Sequence, residues 1–251
     1  PYRPVLNMLP GEDTGDAVIR YLEENIFAHL VPPQDVAGII IEPIQGEAGI
    51  IVPANGFLEK LRRKCDDTGA LLIFDEIQTG FGRTGEMFAF MKYEVIPDIL
   101  VLAKALGGGM PLGAFISSNE IMSSLASGPP LSHITTFGGH PVCCAAGLAS
   151  LEVIIDEKLA ESCSSKSDLF RKLLVHPLIM EVRGEGLMLA VRLESSVHVH
   201  YAIANAPSYG LILDYFLFCD TAFRIAPPLI ITPEEISLAC SQLMALLDDT
   251  M

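Results

Sequence analysis

The sequence predicts an α/β fold, a mostly parallel sheet followed by a smaller α+β unit, on three observations. Short β-branched runs alternate with helical periods as far as Ser117, the rhythm of strand, crossover helix and strand. Two of those runs, Ala70–Phe74 and Ile99–Ala103, each end in an ionisable residue, Asp75 and Lys104. Beyond about Glu161 the pattern changes to short strands around glycines and one closing helix.

The elements follow in order. Ala17, Val18, Tyr21, Leu22, Ile26 and Leu30 recur near helical period, so Thr14–Leu30 is a helix with Thr14 or Asp16 as N-cap and Pro32–Pro33 as its stop. Val36–Ile41 is a continuous apolar run, which predicts a strand covered on both faces. It leads into Glu42-Pro-Ile-Gln-Gly-Glu-Ala-Gly49. Phe57, Leu58, Leu61 and Cys65 make Gly56–Thr68 a helix, closed by Gly69. After the strand Ala70–Phe74 come a short helix near Met87–Tyr93, the strand Ile99–Ala103 and another at Leu112–Ser117. Helices are expected from Pro141 to about Leu159 and over Ser162–Leu174. The tail then offers strands at Ile179–Arg183, Leu187–Leu193, Leu211–Leu213 and Ala222–Ala226, and a helix over Pro233–Leu247. Two domains are expected, 1–160 and 161–251, without an internal repeat or low-complexity linker.

Composition narrows the function. Asp plus Glu number 31 against 16 Lys plus Arg, a net charge of −15 that repels nucleic acid and anionic membranes. The densest basic stretch, Lys60–Lys64, falls in a helical pattern and reads as a solvated face. No apolar run approaches the ~18 residues of a membrane span. The six cysteines form no CxxC pair, which suits reduced thiols in the cytoplasm. The opening PYRPVLN lacks the basic and apolar regions of a signal peptide and does not resemble a natural start, so further polypeptide is expected upstream.

Several motifs are decoys. Gly80-Phe-Gly82-Arg-Thr-Gly85 matches the dinucleotide fingerprint, but Glu76–Thr79 separate it from its strand and no acid ends the next one. Leu71–Glu76 resembles the magnesium-binding strand of P-loop ATPases, yet no GxxxxGK[ST] accompanies it. His198 and His200 would share one face of a strand, but a third metal ligand is lacking, so no metal is expected. Cys143 and Cys144, at a helix start, read as packing residues.

The acid and the lysine remain. Ligands of open α/β sheets sit beyond the carboxyl ends of strands. Lysine forms Schiff bases, and an enzyme using pyridoxal 5'-phosphate (PLP) needs such a lysine and a carboxylate on the pyridinium nitrogen. Asp75 and Lys104 fit those two tasks. The small residues Ala105–Gly109 allow backbone and cofactor to approach closely.

These residues belong to a larger pattern. The Glu42–Gly49 motif, Asp75-Glu-Ile-Gln-Thr-Gly-Phe-Gly-Arg-Thr-Gly85, Pro97-Asp-Ile, Ala103-Lys104-Ala-Leu-Gly-Gly-Gly109, Thr136-Phe-Gly-Gly-His-Pro141 and Arg224-Ile-Ala-Pro-Pro228 together resemble the class III PLP-dependent aminotransferases, closest to the ornithine, acetylornithine and 4-aminobutyrate group. The resemblance implies a PLP-dependent transferase of fold type I, with a large domain incomplete at its N-terminus and a small C-terminal α+β domain. It implies that Lys104 is the Schiff-base lysine, Asp75 the partner of the pyridine nitrogen, Gln78 a donor to the ring 3-oxygen and Ile77 the apolar residue on one ring face. Thr136 would reach the cofactor phosphate of a neighbouring subunit, making a homodimer with shared active sites. Arg224 would hold the α-carboxylate of glutamate or 2-oxoglutarate, with Glu47 pairing to it when an ω-amino donor binds. Arg83 reads as a structural ion-pair partner. His140 stands where the ornithine branch has Asn, which loosens the subgroup. The upstream phosphate loop of the family is not found, so the chain resembles the C-terminal portion of such an enzyme. Two further classes stay open: a racemase or aminomutase of the same fold, and a non-catalytic homologue acting as a scaffold.

Overall fold

The computed structural model describes residues 8–126 and 133–250, so the opening PYRPVLN lies outside the described residues. The chain condenses into two units: Pro1–Pro43, Pro53–Phe81 and Phe88–Asp156 make the first, and Ile44–Val52, Gly82–Met87 and Glu157–Met251 the second. The loops Ile44–Val52 and Gly82–Met87 thus belong with the C-terminal half, although sequence order places both inside 1–160.

The first unit starts with α1 (Thr14–Tyr21), which is capped by Asp13, whose carboxylate accepts from the Asp16 N–H at 2.8 Å. The cap therefore lies just ahead of the expected Thr14 or Asp16, because an Asx side chain reaches the N–H three residues on. The winding continues as a π-turn over Leu22–Phe27. Next come β1 (Gly38–Ile41), α2 (Phe57–Thr68), β2 (Leu71–Asp75), α3 (Ala89–Tyr93), β3 (Ile99–Leu102), β4 (Ala114–Ser117), α4 (Asn119–Ser123) and α5 (Pro141–Asp156). The sheet has the order β1-β2-β3-β4, with β1, β2 and β3 parallel and β4 antiparallel to β3. Leu72 and Phe74 of β2 are buried, as are Phe57, Leu58, Leu61 and Cys65 of α2. Gly69, at φ 76°, ends α2 as expected. Of the expected strand Val36–Ile41, Gly38–Ile41 forms β1, which is an edge strand among the described residues and leaves Ile40 64% exposed instead of covered. An unbroken apolar run cannot distinguish a central from an edge strand, since that depends on neighbours.

The second unit holds α6 (Leu159–Leu173), β5 (Ile179–Glu185), β6 (Met188–Leu193), α7 (Ser196–Asn205), β7 (Asp214–Phe216), β8 (Cys219–Ile225) and α8 (Pro233–Asp248). Its sheet is antiparallel with the order β5-β6-β8-β7. Leu189, Val191, Leu193 and Phe223 form a core with Phe170, Ile236, Leu243 and Leu246. Thr232 and Glu235 close a reciprocal capping box on α8. Two sequence expectations are corrected here. Leu211–Leu213 is not a strand, because the Leu211 N–H is taken by Ala206 O in the preceding turn and pairing starts only at Asp214. His198 and His200 lie on α7, where residues two apart point to different faces, so the paired-ligand geometry disappears. Among the described residues no group of His, Cys, Asp and Glu could hold a metal, and no helix is long and apolar enough to cross a membrane.

Candidate active site

The predicted residues fall into two clusters, one in each unit. In the first, Asp75 is the last residue of β2 and pairs in register with Val101 of the parallel neighbour β3. Lys104 follows three residues later, in a 3-10 turn over Lys104–Gly107. An acid and an amine thus leave adjacent strands at the same edge of the sheet, where ligands of such sheets sit. Asp75 is half-buried, and its Oδ1 accepts from the Ile77 N–H at 3.0 Å. This Asx turn starts the loop that carries Ile77 and Gln78, both half-buried. Lys104 is exposed and has no carboxylate within ion-pair distance among the described residues. Its φ of 47° is left-handed, a conformation that costs a non-glycine residue about 1–2 kcal/mol. Such strain persists only where the surroundings impose it, and it gathers at functional positions.

Helix α5 is what holds the lysine turn. A Cβ at Gly147 would stand 2.4 Å from Leu106 O, and one at Gly108 would stand 2.5 Å from Ala146 O. Of the small residues after Lys104, Gly108 thus serves this helix, Gly107 faces Leu112 and Gly109 meets nothing within 4 Å. Thr136 is exposed in the stretch ahead of α5.

The donor set of this cluster suits PLP. Lys104 offers an amine that no acid neutralises, and Asp75 offers a carboxylate that no basic side chain neutralises among the described residues. Asp75 could hold the ring nitrogen, Ile77 could pack on the ring and Gln78 could donate to it.

In the second unit Arg224 of β8 and Glu47 meet across 177 residues of sequence, with Nη2 donating to Oε1 at 2.6 Å. Glu47 is fixed by the β7–β8 turn: its Oε2 accepts from the Leu217 N–H at 3.2 Å and its carbonyl from the Phe218 N–H at 3.1 Å. Arg224 Nε is buried and finds no acceptor among the described residues. A guanidinium binds carboxylates through its fork, so a further carboxylate would compete with Glu47 for Nη2.

Arg83 departs from expectation. It is largely buried, but its Nη1 donates to the carbonyls of Leu187 (3.3 Å) and Pro227 (2.5 Å) instead of pairing with an acid. Burial pushes its pKa below the usual arginine value. Pro227 lies three residues beyond Arg224, so Arg83 fixes the segment in which Arg224 stands. Sequence reading also passed over Asp214 and Phe216, which flank Arg224. Their signal was the two-residue alternation of a strand, hidden by placing that strand three residues too early.

Comparison with known proteins identifies the family. The family model described as Aminotransferase class-III matches residues 5–247. An omega transaminase from Pseudomonas jessenii, a thermostable 6-fold mutant, superposes with a TM-score of 0.88 at 32% identity, covering 100% of this chain and 59% of that one. Acetylornithine aminotransferase from Elizabethkingia anophelis gives 0.82 at 36% identity, covering 95% and 59%. Ornithine aminotransferase from Toxoplasma gondii, whose structure reveals partial occupancy of PLP at its active site, gives 0.82 at 33% identity, covering 99% and 58%. The chain therefore spans about 59% of the length of the omega transaminase it matches.

Proposed function

Because the chain belongs to the class III aminotransferase family, we propose that it carries the lysine, the acid and the carboxylate-binding arginine of a PLP-dependent transaminase. The amino group moved is an ω-amino group of a diamine or ω-amino acid, and the acceptor is 2-oxoglutarate. The observation that carries this reading is the exit of Asp75 and Lys104 from adjacent parallel strands at one sheet edge.

When bound, PLP supplies an aldehyde and an electron-accepting ring. The Asp75 carboxylate holds a proton at the pyridine nitrogen, where a negative charge at the end of β2 stabilises the positive one. Lys104 would hold the aldehyde through Nζ, and once the donor's amine has displaced it there, the freed Nζ would move a proton at the substrate carbon. Ile77 excludes water from one side of the ring, and Gln78 orients it. Arg224 grips the α-carboxylate of the acceptor. With Glu47 at 2.6 Å, that charge is covered when the donor presents no carboxylate there, so one site serves two substrates. The exposure of Thr136 suits a hydroxyl that reaches a second subunit's cofactor phosphate, and a homodimer is part of the proposal.

Incubation of the full-length protein with a panel of amino donors and 2-oxoglutarate tests this. Glutamate formation that is lost in Lys104→Ala is the expected result. Epimerisation of the donor without net amino transfer would sink it in favour of a racemase, and inactivity with every donor would favour a scaffold.

A further inference from the structure

Arg224 stands among two carboxylates and an aromatic ring. Nη2 donates to Glu47 at 2.6 Å, Nη1 lies 3.7 Å from Asp214 Oδ2, and the guanidinium carbon lies 5.0 Å from the centroid of Phe216. We infer that Phe216 is a positioning residue that sets the affinity of Arg224 for a substrate carboxylate, because its ring contacts the guanidinium without occupying any of its N–H donors. The inference rests on the reading of Arg224 as the carboxylate anchor.

The strands create the arrangement. Arg224 is the cross-strand partner of Asp214, and Phe216 stands two residues further along β7. The register shifts between Asp214 and Phe216, and Phe216 then pairs with Cys219 next to the turn. Phe216 is only 6% exposed, so its ring is fixed by packing.

The three contacts differ in permanence. Glu47 occupies the fork that a substrate carboxylate would take, so it must give way. The Asp214 side chain is 68% exposed, and a pair at that exposure contributes little. Phe216 remains. Leu217 and Phe218, which follow it, also hold Glu47 through their backbone N–H groups. The bond from Phe218 ends on the Glu47 carbonyl, so the main chain and the ring can stay in place when the Glu47 carboxylate swings away and gives up its bond to the Leu217 N–H. A guanidinium is weakly hydrated and planar, and an aromatic face stabilises it without using any of its N–H donors. The fork therefore keeps its orientation, and its donors stay available for the incoming carboxylate.

The test uses Phe216→Leu and Phe216→Met, which fill the space without a ring, and Phe216→Tyr, which retains it. In the holoenzyme, the ringless variants are expected to raise KM for 2-oxoglutarate roughly three- to thirty-fold, with kcat changed by less than about twofold. Phe216→Tyr should restore the wild-type KM. Calorimetric titration of 2-oxoglutarate into Lys104→Ala protein loaded with pyridoxamine 5'-phosphate, which cannot turn over, should show the same loss and the same rescue in Kd. Unchanged Kd in the ringless variants, a fall in kcat at constant KM, or a Tyr variant no better than Leu would overturn the role of Phe216. Arg224→Ala separates the premise: if it binds 2-oxoglutarate as the wild type does, Arg224 is not the anchor. If it loses binding while Phe216→Leu keeps it, only the inference about Phe216 fails.

Discussion

Glu76 is fully buried beside Asp75 and uses both carboxylate oxygens: Oε2 accepts from Thr79 Oγ1 (3.0 Å) and the Ala89 N–H (2.6 Å), and Oε1 from the Phe90 N–H (2.8 Å). It thereby caps the start of α3 and pins the turn that bears Ile77 and Gln78. Burial raises its pKa above the usual carboxylate range, although these three donors pull it back. A raised folded pKa means that the folded state binds more protons than the unfolded one between the two values, so stability falls as pH rises through that window and is level above it. Glu76→Gln removes the titration and turns an amide N–H₂ towards backbone donors, at an expected cost of about 1–3 kcal/mol near pH 7. In urea unfolding across pH 4 to 8, wild-type stability relative to Glu76→Gln should decline through that window as pH rises. A relative stability that climbs with pH would show that the donors, not burial, govern the group. In the sequence Glu76 was only the second acid of a motif, because burial of a loop residue depends on what folds over it.

At the scale of elements, the lysine turn and α5 are one piece of packing. Gly147 lets the helix backbone approach Leu106 O, and Gly108 adopts φ +56° against Ala146 and Ser150. Gly147→Ala would place a methyl carbon 2.4 Å from that carbonyl, which forces the helix or the turn to move. The expected loss is about 1–3 kcal/mol of stability. Lys104, already in a strained backbone, should be displaced with it. Borohydride trapping of PLP on Lys104 should therefore fall in step with the denaturation midpoint, and full trapping at wild-type stability would contradict the coupling. Helix α2 and strands β2, β3 and β8 were legible because each carries its own apolar period and a terminating residue. Helix α7 was not: His198 and His200 mimic strand alternation, and only the Ser195 cap, which accepts from the His198 N–H, betrays the helix.

At the scale of the molecule, each unit has its own sheet, and the first leaves apolar side chains uncovered. Val142, Leu148, Val153 and Ile155 of α5 and Ile116 of β4 are exposed. The proposed homodimer would cover part of them, so sedimentation of the full-length protein at micromolar concentration should find a dimer, and a monodisperse monomer would exclude a shared site. What the sequence alone determined was which residues stand at the strand ends: an apolar run followed by Asp75 and another followed by Lys104 are local features, set by side-chain period and by what interrupts it. The pairing of Glu47 with Arg224 could be expected from the motifs that carry the family resemblance. Only the tertiary structure decided what surrounds that pair. Asp214 and Phe216 reach Arg224 through strand register and a shift within it, and Arg83 meets Pro227 across 144 residues. Register is fixed by hydrogen bonds between strands, and no residue carries that information by itself.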